Sequence, residues 1–329
     1  MKATVDIFSG FLGAGKTMLI KKLLSENAYG KNTVIIENEF GEVGIDGEIL
    51  RETNINIKEI NSGCICCQVS GNFGDAIIEV IKKYEPENII IEPSGVAKLS
   101  EILKILDGIK FQHVLEIRNI FTLIDIQNYD MYLENFKEFY ENQIKNANKI
   151  VISRTQYCDE KKISKTVASL RNINKKAEVI YKPWKELNYK NFFKTDNINS
   201  NKKAIRFGKA ESINNKNVQL KKEENHHADD IFESYPIDLI NDVNLDDLKK
   251  KFVYIADENK YGNIIRAKGV VKDQRGVYFQ FDYVPNEFKA REIKWSNKKV
   301  VSIIGSNLNK RELENLFLWL LFWVSKGGI

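Results

Sequence analysis

The octapeptide "GFLGAGKT", residues 10–17, fits the pattern G-x-x-x-x-G-K-S/T. It lies between a β-branched, apolar stretch, "ATVDIF" (3–8), and "TMLIKKLLSE", whose Leu19, Ile20, Leu23 and Leu24 recur at helical spacing. A strand that passes through a glycine loop directly into a helix leaves few folds open. Gly10, Gly13 and Gly15 let the backbone, Ala14 included, curl so that its N–H groups face one anion, and the helix start adds partial positive charge. In such a loop Lys16 reaches the β- and γ-phosphates and the Thr17 hydroxyl ligates Mg2+. The expected ligand is a nucleoside triphosphate.

The rest of the first half repeats the theme. "NTVIIEN" (32–38), "NIIIE" (88–92), "NIFTLID" (119–125), "NKIVIS" (148–153) and "AEVIY" (177–181) read as strands, and "DAIIEVIKKY" (75–84) reads as an amphipathic helix. Short, wholly apolar strands are those covered on both faces, so the alternation predicts an α/β unit with a parallel sheet and helices on both sides. This unit is expected over residues 1–185. A polar, Asn- and Lys-rich linker is expected over 186–232. A smaller C-terminal α+β unit is expected over 233–329, with a helix at "LDDLKKKFVYIAD", four strands after it, and a closing helix capped by Asn309 with Glu312 three residues on.

Base preference is written less clearly than phosphate binding. GTPases place N-K-x-D after a late strand, where the aspartate accepts hydrogen bonds from guanine. Here "SRTQ" follows "KIVI": Ser153 opens it, Arg154 stands for the lysine and Gln156 for the aspartate. A Gln amide oxygen accepts one hydrogen bond without charge or bidentate geometry. The residues therefore specify a nucleoside triphosphate and leave guanine as an inference.

"GCICC" (63–67) gathers Cys64, Cys66 and Cys67, three of the four cysteines; Cys158 stands alone. No secretory leader is evident. The apolar run "LFLWLLFWV" (316–324) is about half the ~20 residues needed to cross a bilayer. A cytoplasmic protein with reduced thiols and no membrane partner is expected, so the cluster suggests metal or redox chemistry before a disulfide. A closed zinc site needs a second pair of ligands. An open set of two or three thiolates suits a soft ion that enters and leaves: Zn2+, Co2+ or Cu+ rather than Mg2+. Buried thiols or a redox relay are the alternatives. The segment "ENEFGEVGID" (37–46) carries Glu37, Glu39, Glu42 and Asp46 where a nucleotide-sensing switch would lie. The net charge of +5 is mild and its lysines are scattered, which argues against nucleic acid. His226 and His227 read as a solvated pair in the linker, and His113 as structural.

"GFLGAGKT", "ENEFGEVGID", "GCICC" and "IEPSG", in this order, resemble the CobW-type metallochaperone GTPases, relatives of the UreG and HypB nickel chaperones, over about the first 185 residues and more weakly beyond. The resemblance implies a SIMIBI-like P-loop NTPase fold and the cofactors GTP, Mg2+ and Zn2+ or Co2+. It implies Glu37, Cys66 and Cys67 as principal metal ligands with Cys64 auxiliary. Glu92 and Gly95 would hold the Walker-B and γ-phosphate-sensing positions, and Glu42 and Asp46 would act near Mg2+ and the attacking water. Its partner would be a client apo-metalloprotein or a cofactor-biosynthesis enzyme, and homodimerisation stays open. A nucleotide-regulated metal buffer and a small-molecule kinase are the other readings.

Overall fold

The computed structural model describes residues 2–30, 32–37, 56–59, 70–193, 228–257, 259–296 and 298–318. These fall into two compact units that divide between Ala228 and Asp229.

The first unit alternates strands and helices: β1 (Ala3–Gly10), α1 (Lys16–Ser25), β2 (Thr33–Glu37), β3 (Asn56–Glu59), α2 (Ser70–Tyr84), β4 (Asn88–Glu92), α3 (Leu99–Leu106), β5 (Leu115–Asp125), α4 (Tyr129–Asn135), α5 (Lys137–Lys145), β6 (Lys149–Ser153), α6 (Glu160–Ile173) and β7 (Glu178–Ile180). The seven strands lie in the order β3-β2-β4-β1-β5-β6-β7, and every neighbouring pair is parallel. Side-chain alternation explains the two-faced burial. Ile89 and Ile91 of β4 join Val5, Ile7, Val34, Ile36, Ile77 and Ile102 in one core. Ile90, between them, joins Phe8, Ile35, Leu19, Leu23 and Leu123 in the other.

A polar knot braces the N-terminal half of the sheet. The register of β1 against β5 slips between Val5 and Asp6 and passes over Arg118. Asp6, 1% exposed, accepts hydrogen bonds from the Tyr29 hydroxyl (2.8 Å), Asn119 Nδ2 (2.8 Å) and both Nε and Nη2 of Arg118. Burial, and then the Asp6 carboxylate, push the Tyr29 phenol well above its ordinary value. Four charge-assisted or polar contacts leave this buried carboxylate satisfied.

β5 begins earlier than its apolar run, and β3 falls where the chain reads as polar. Beyond β7, Tyr189–Phe193 forms one more short helix, with Phe192 fully buried in the second core.

The second unit is an antiparallel sheet of β8 (Glu233–Asp238), β9 (Asn263–Lys272), β10 (Tyr278–Val284), β11 (Glu287–Ile293) and β12 (Val300–Ser306), in the order β11-β10-β9-β12-β8. Two helices, α7 (Leu245–Asp257) and α8 (Lys310–Leu318), pack Leu248, Phe252, Leu313 and Phe317 against Ala267, Phe281 and Ile303. The Asn309 side chain accepts from the Glu312 amide at 3.3 Å, capping α8. No helix among the described residues is long and apolar enough to cross a membrane.

Candidate nucleotide site

The loop between β1 and α1 carries left-handed backbone at Gly13 (φ 69°) and Gly15 (φ 101°), and Gly15 is the residue that opens the helix. Any side chain at Gly15 would meet strain there, which is why the pattern demands glycine. Gly10 ends β1 beside Leu123, and Ala14 is fully buried. Lys16 is 7% exposed, and its Nζ donates to the carbonyls of Gly10 (3.1 Å) and Phe11 (3.4 Å), holding the ammonium over the loop.

β4 brings the next element. Its last residue, Glu92, accepts from the Thr17 hydroxyl at 2.9 Å (Oε1) and 3.1 Å (Oε2). Two hard oxygen donors of this kind suit Mg2+, which takes one or two protein oxygens and keeps its waters. Three residues on, Gly95 packs so closely on Leu12 that a Cβ there would lie 2.7 Å from the Leu12 nitrogen. Gln143 of α5, wholly buried, ties this turn down by donating from Nε2 to the carbonyls of Gly95 and Ala97, each at 3.0 Å.

The loop after β6 supplies the third wall. Arg154 adopts a left-handed conformation (φ 62°); its guanidinium donates to the Gly13 carbonyl at 3.1 Å and pairs with Asp125 at 3.2 Å. Asp125, 1% exposed at the end of β5, also accepts from Asn128 Nδ2 (2.7 Å) and the Gln127 amide (3.0 Å). The Ser153 hydroxyl donates within the sheet to Ile124 at 3.2 Å, and Gln156 is exposed. The fold thus brings together Gly10 through Thr17, Glu92, Gly95 and Arg154, and turns Ser153 inward.

Glu37 ends β2 and is the register partner of Glu92 across the parallel ladder, so the two carboxylate-bearing positions stand side by side at the same edge of the sheet. Glu39, Glu42, Asp46, Cys64, Cys66, Cys67, His226 and His227 lie outside the described residues. Among the described residues no three His, Cys, Asp or Glu side chains gather to hold a metal ion. Cys158 is half-buried, and burial lifts its thiol above the ordinary value against the pull of Lys162, so it is not poised as a thiolate.

Asp125 and Gln143 escape the motif reading. Asp125 had a signal, an acid at the C-terminal end of an apolar strand in a parallel sheet. Gln143 had none, since "KEFYENQIK" is an ordinary amphipathic helix.

A lysine held over a glycine loop, beside a hydroxyl–carboxylate pair at the ends of parallel strands, is built for the phosphates of a nucleotide; the first unit is that of a P-loop nucleoside triphosphatase. The chain belongs to the CobW/HypB/UreG family, whose nucleotide-binding domain matches residues 4–181. It is 30% identical to the zinc chaperone YjiA of Escherichia coli strain K12 over 185 residues, 53% of this chain and 56% of that one. It is 30% identical over 189 residues to the zinc-regulated GTPase metalloprotein activator 1 of Schizosaccharomyces pombe, 54% of this chain and 44% of that one. The chain therefore spans about half the length of the curated relatives it matches. Among solved structures, the Zn(II)-bound YjiA GTPase from E. coli aligns over 96% of this chain and 98% of that chain, at 19% identity and a TM-score of 0.42.

Proposed function

We propose that this protein is a cytoplasmic metallochaperone GTPase. It carries Zn2+ or Co2+ as cargo on Glu37, Cys64, Cys66 and Cys67 and passes the ion to a client apo-metalloprotein or cofactor-biosynthesis enzyme. The single observation that carries this reading is the register of Glu37 with Glu92. It sets the first proposed cargo ligand one strand away from the carboxylate that holds Thr17 of the phosphate loop. Family membership supports the nucleotide half of the reading, and the zinc chaperones among its relatives support the cargo half.

In this reading the loop amides and Lys16 bind the β- and γ-phosphates, and Thr17 and Glu92 hold Mg2+. When bound, that ion neutralises charge on the phosphate oxygens. Gly95 sets the turn that lies against the γ-phosphate. Glu42 and Asp46 orient the attacking water. The triphosphate state orders residues 37–46, hydrolysis releases them, and the hold on the cargo changes accordingly. The C-terminal unit, from residue 233, recognises the client.

The test is Zn2+ and Co2+ affinity measured with and without a non-hydrolysable GTP analogue. A change of roughly fivefold or more is expected, with the reciprocal change in nucleotide affinity when metal is added. Equal affinities in both states would remove the switch. Replacing Cys66 and Cys67 together by Ser should abolish tight metal binding and spare nucleotide binding, whereas Lys16→Ala should do the reverse.

A further inference from the structure

The position that ordinarily reads a guanine edge carries Gln156 in place of an aspartate, and what stands against the phosphate loop is aromatic. Gln156 is exposed and neutral, the Ser153 hydroxyl is engaged by the sheet, and the Arg154 guanidinium is spent on the Gly13 carbonyl and Asp125. The loop that follows β7, on the same end of the sheet, brings Trp184 against the phosphate loop. A Cβ built on Gly15 would lie 3.2 Å from its Cη2 and 3.8 Å from its Cζ3. The ring is anchored on one side by the core that contains Leu19, Leu23 and Ile180, and it remains only partly buried.

Trp184 carries a second mark. Its indole N–H is buried and has no hydrogen-bond partner among the described residues. A fold normally satisfies such a donor, so this one is open to a partner beyond the described residues. A nucleoside is the ligand chemistry that offers both an aromatic face and hydroxyl acceptors.

We propose that Trp184 forms a wall of the nucleoside subsite and that its indole, in place of a base-edge carboxylate, holds the base, so that the site takes GTP and ATP alike. The proposal rests on the nucleotide reading above and deepens it. Its physical basis is a contrast of two recognition modes. Hydrogen bonds to a base edge reject the wrong base by large factors because a buried partner is left unpaired. Stacking tolerates either purine because each presents a π-face. Among the described residues, position 156 offers one exposed amide for the first mode, and Trp184 supplies a ring for the second.

The test uses the full chain with Mg2+ and three probes: GTP, ATP and inorganic tripolyphosphate, titrated calorimetrically against wild type, Trp184→Leu and Trp184→Phe. Leu keeps apolar bulk against the core and removes the ring; Phe keeps a ring. Wild type is expected to bind GTP and ATP within about tenfold of each other, since stacking discriminates weakly between bases. W184L should weaken both nucleotides by about tenfold, the scale of one lost base–aromatic stack, and leave tripolyphosphate unchanged. W184F should recover most of that loss. The proposal would be overturned by a hundredfold or greater preference for GTP in wild type, unchanged nucleotide affinities in W184L, a parallel loss of tripolyphosphate in W184L, or failure of W184F to recover. Wild type that binds none of the three probes would overturn the nucleotide reading itself. Wild type that binds tripolyphosphate as tightly as it binds GTP would refute the subsite alone.

Discussion

A methyl group on Gly95 would sit 2.7 Å from the Leu12 nitrogen and 2.8 Å from Leu12 Cδ2, so Gly95→Ala must push two loops of the site apart. Overpacking of this kind costs about 1–3 kcal/mol, and chemical denaturation should show a loss in that range together with weaker nucleotide binding. Gln143→Ala acts on the same turn from behind, by leaving the buried carbonyls of Gly95 and Ala97 without their donor. We expect a loss of about 2 kcal/mol from the unpaired acceptors, read as a lowered denaturation midpoint. The contrast between these residues shows what can be read from a chain. Gly10 to Thr17 are legible because the phosphate loop is local and made of backbone, so sequence neighbours are also spatial neighbours. Gln143 reaches the Gly95 turn from α5 and Trp184 reaches the phosphate loop from beyond β7, and no sequence neighbour of theirs hints at those destinations. The cysteine cluster is the opposite case: its chemistry is plain in the sequence, and its geometry lies outside the described residues.

At the level of elements, the central strands declare themselves and the peripheral ones do not. "NIIIE" is apolar throughout because β4 is flanked by β1 and β2 and covered on both faces. β5 is legible only from Asn119 onward, for a related reason. Its residues Phe121–Asp125 pair with β6, whereas Leu115–Ile117 pair with β1 alone and alternate between buried and open positions. Among the described residues β3 pairs with β2 only, and "NIKE" carries too few apolar residues to stand out from a loop. In the second unit, the turn from β9 to β10 is organised by Asp273. Its carboxylate accepts from the Arg275 amide (3.0 Å), the Val277 amide (2.9 Å) and Arg275 Nε (2.7 Å). Desolvation raises its pKa, but these donors outweigh that and hold the carboxyl below its ordinary value. A depressed folded pKa stabilises above the unfolded value and is lost as pH falls through the folded one. The stability gap between wild type and Asp273→Asn should therefore be widest at neutral pH and close as pH drops below the carboxylate range. A gap that widens in acid would show that the turn does not depend on the ionised form. Asn309→Ala should cost about 1 kcal/mol through loss of the α8 cap, seen as an earlier unfolding transition.

For the whole molecule, the two units bury their apolar residues in distinct cores that do not share members, so two cooperative transitions are expected. In the proposed function Lys16, Thr17 and Glu92, all in the first unit, hold Mg·GTP. At a concentration of 100 Kd it should stabilise that unit by about 2.7 kcal/mol. Scanning calorimetry should then show one transition moving up with nucleotide and one standing still. A single transition that moves as a whole would mean that the cores unfold together. The parallel ladder between β2 and β4 has a further consequence. Strands in a sheet are spaced by about 4.8 Å, so the register of Glu37 with Glu92 sets the proposed cargo ligand about one strand spacing from the carboxylate that holds Thr17. At so short a range the sign of communication follows from Coulomb's law alone. A triphosphate remains net negative after its magnesium is counted, and that surplus favours a second cation next door. In the proposed cycle, departure of the γ-phosphate removes part of that surplus, and the neighbouring ion is expected to be held less tightly.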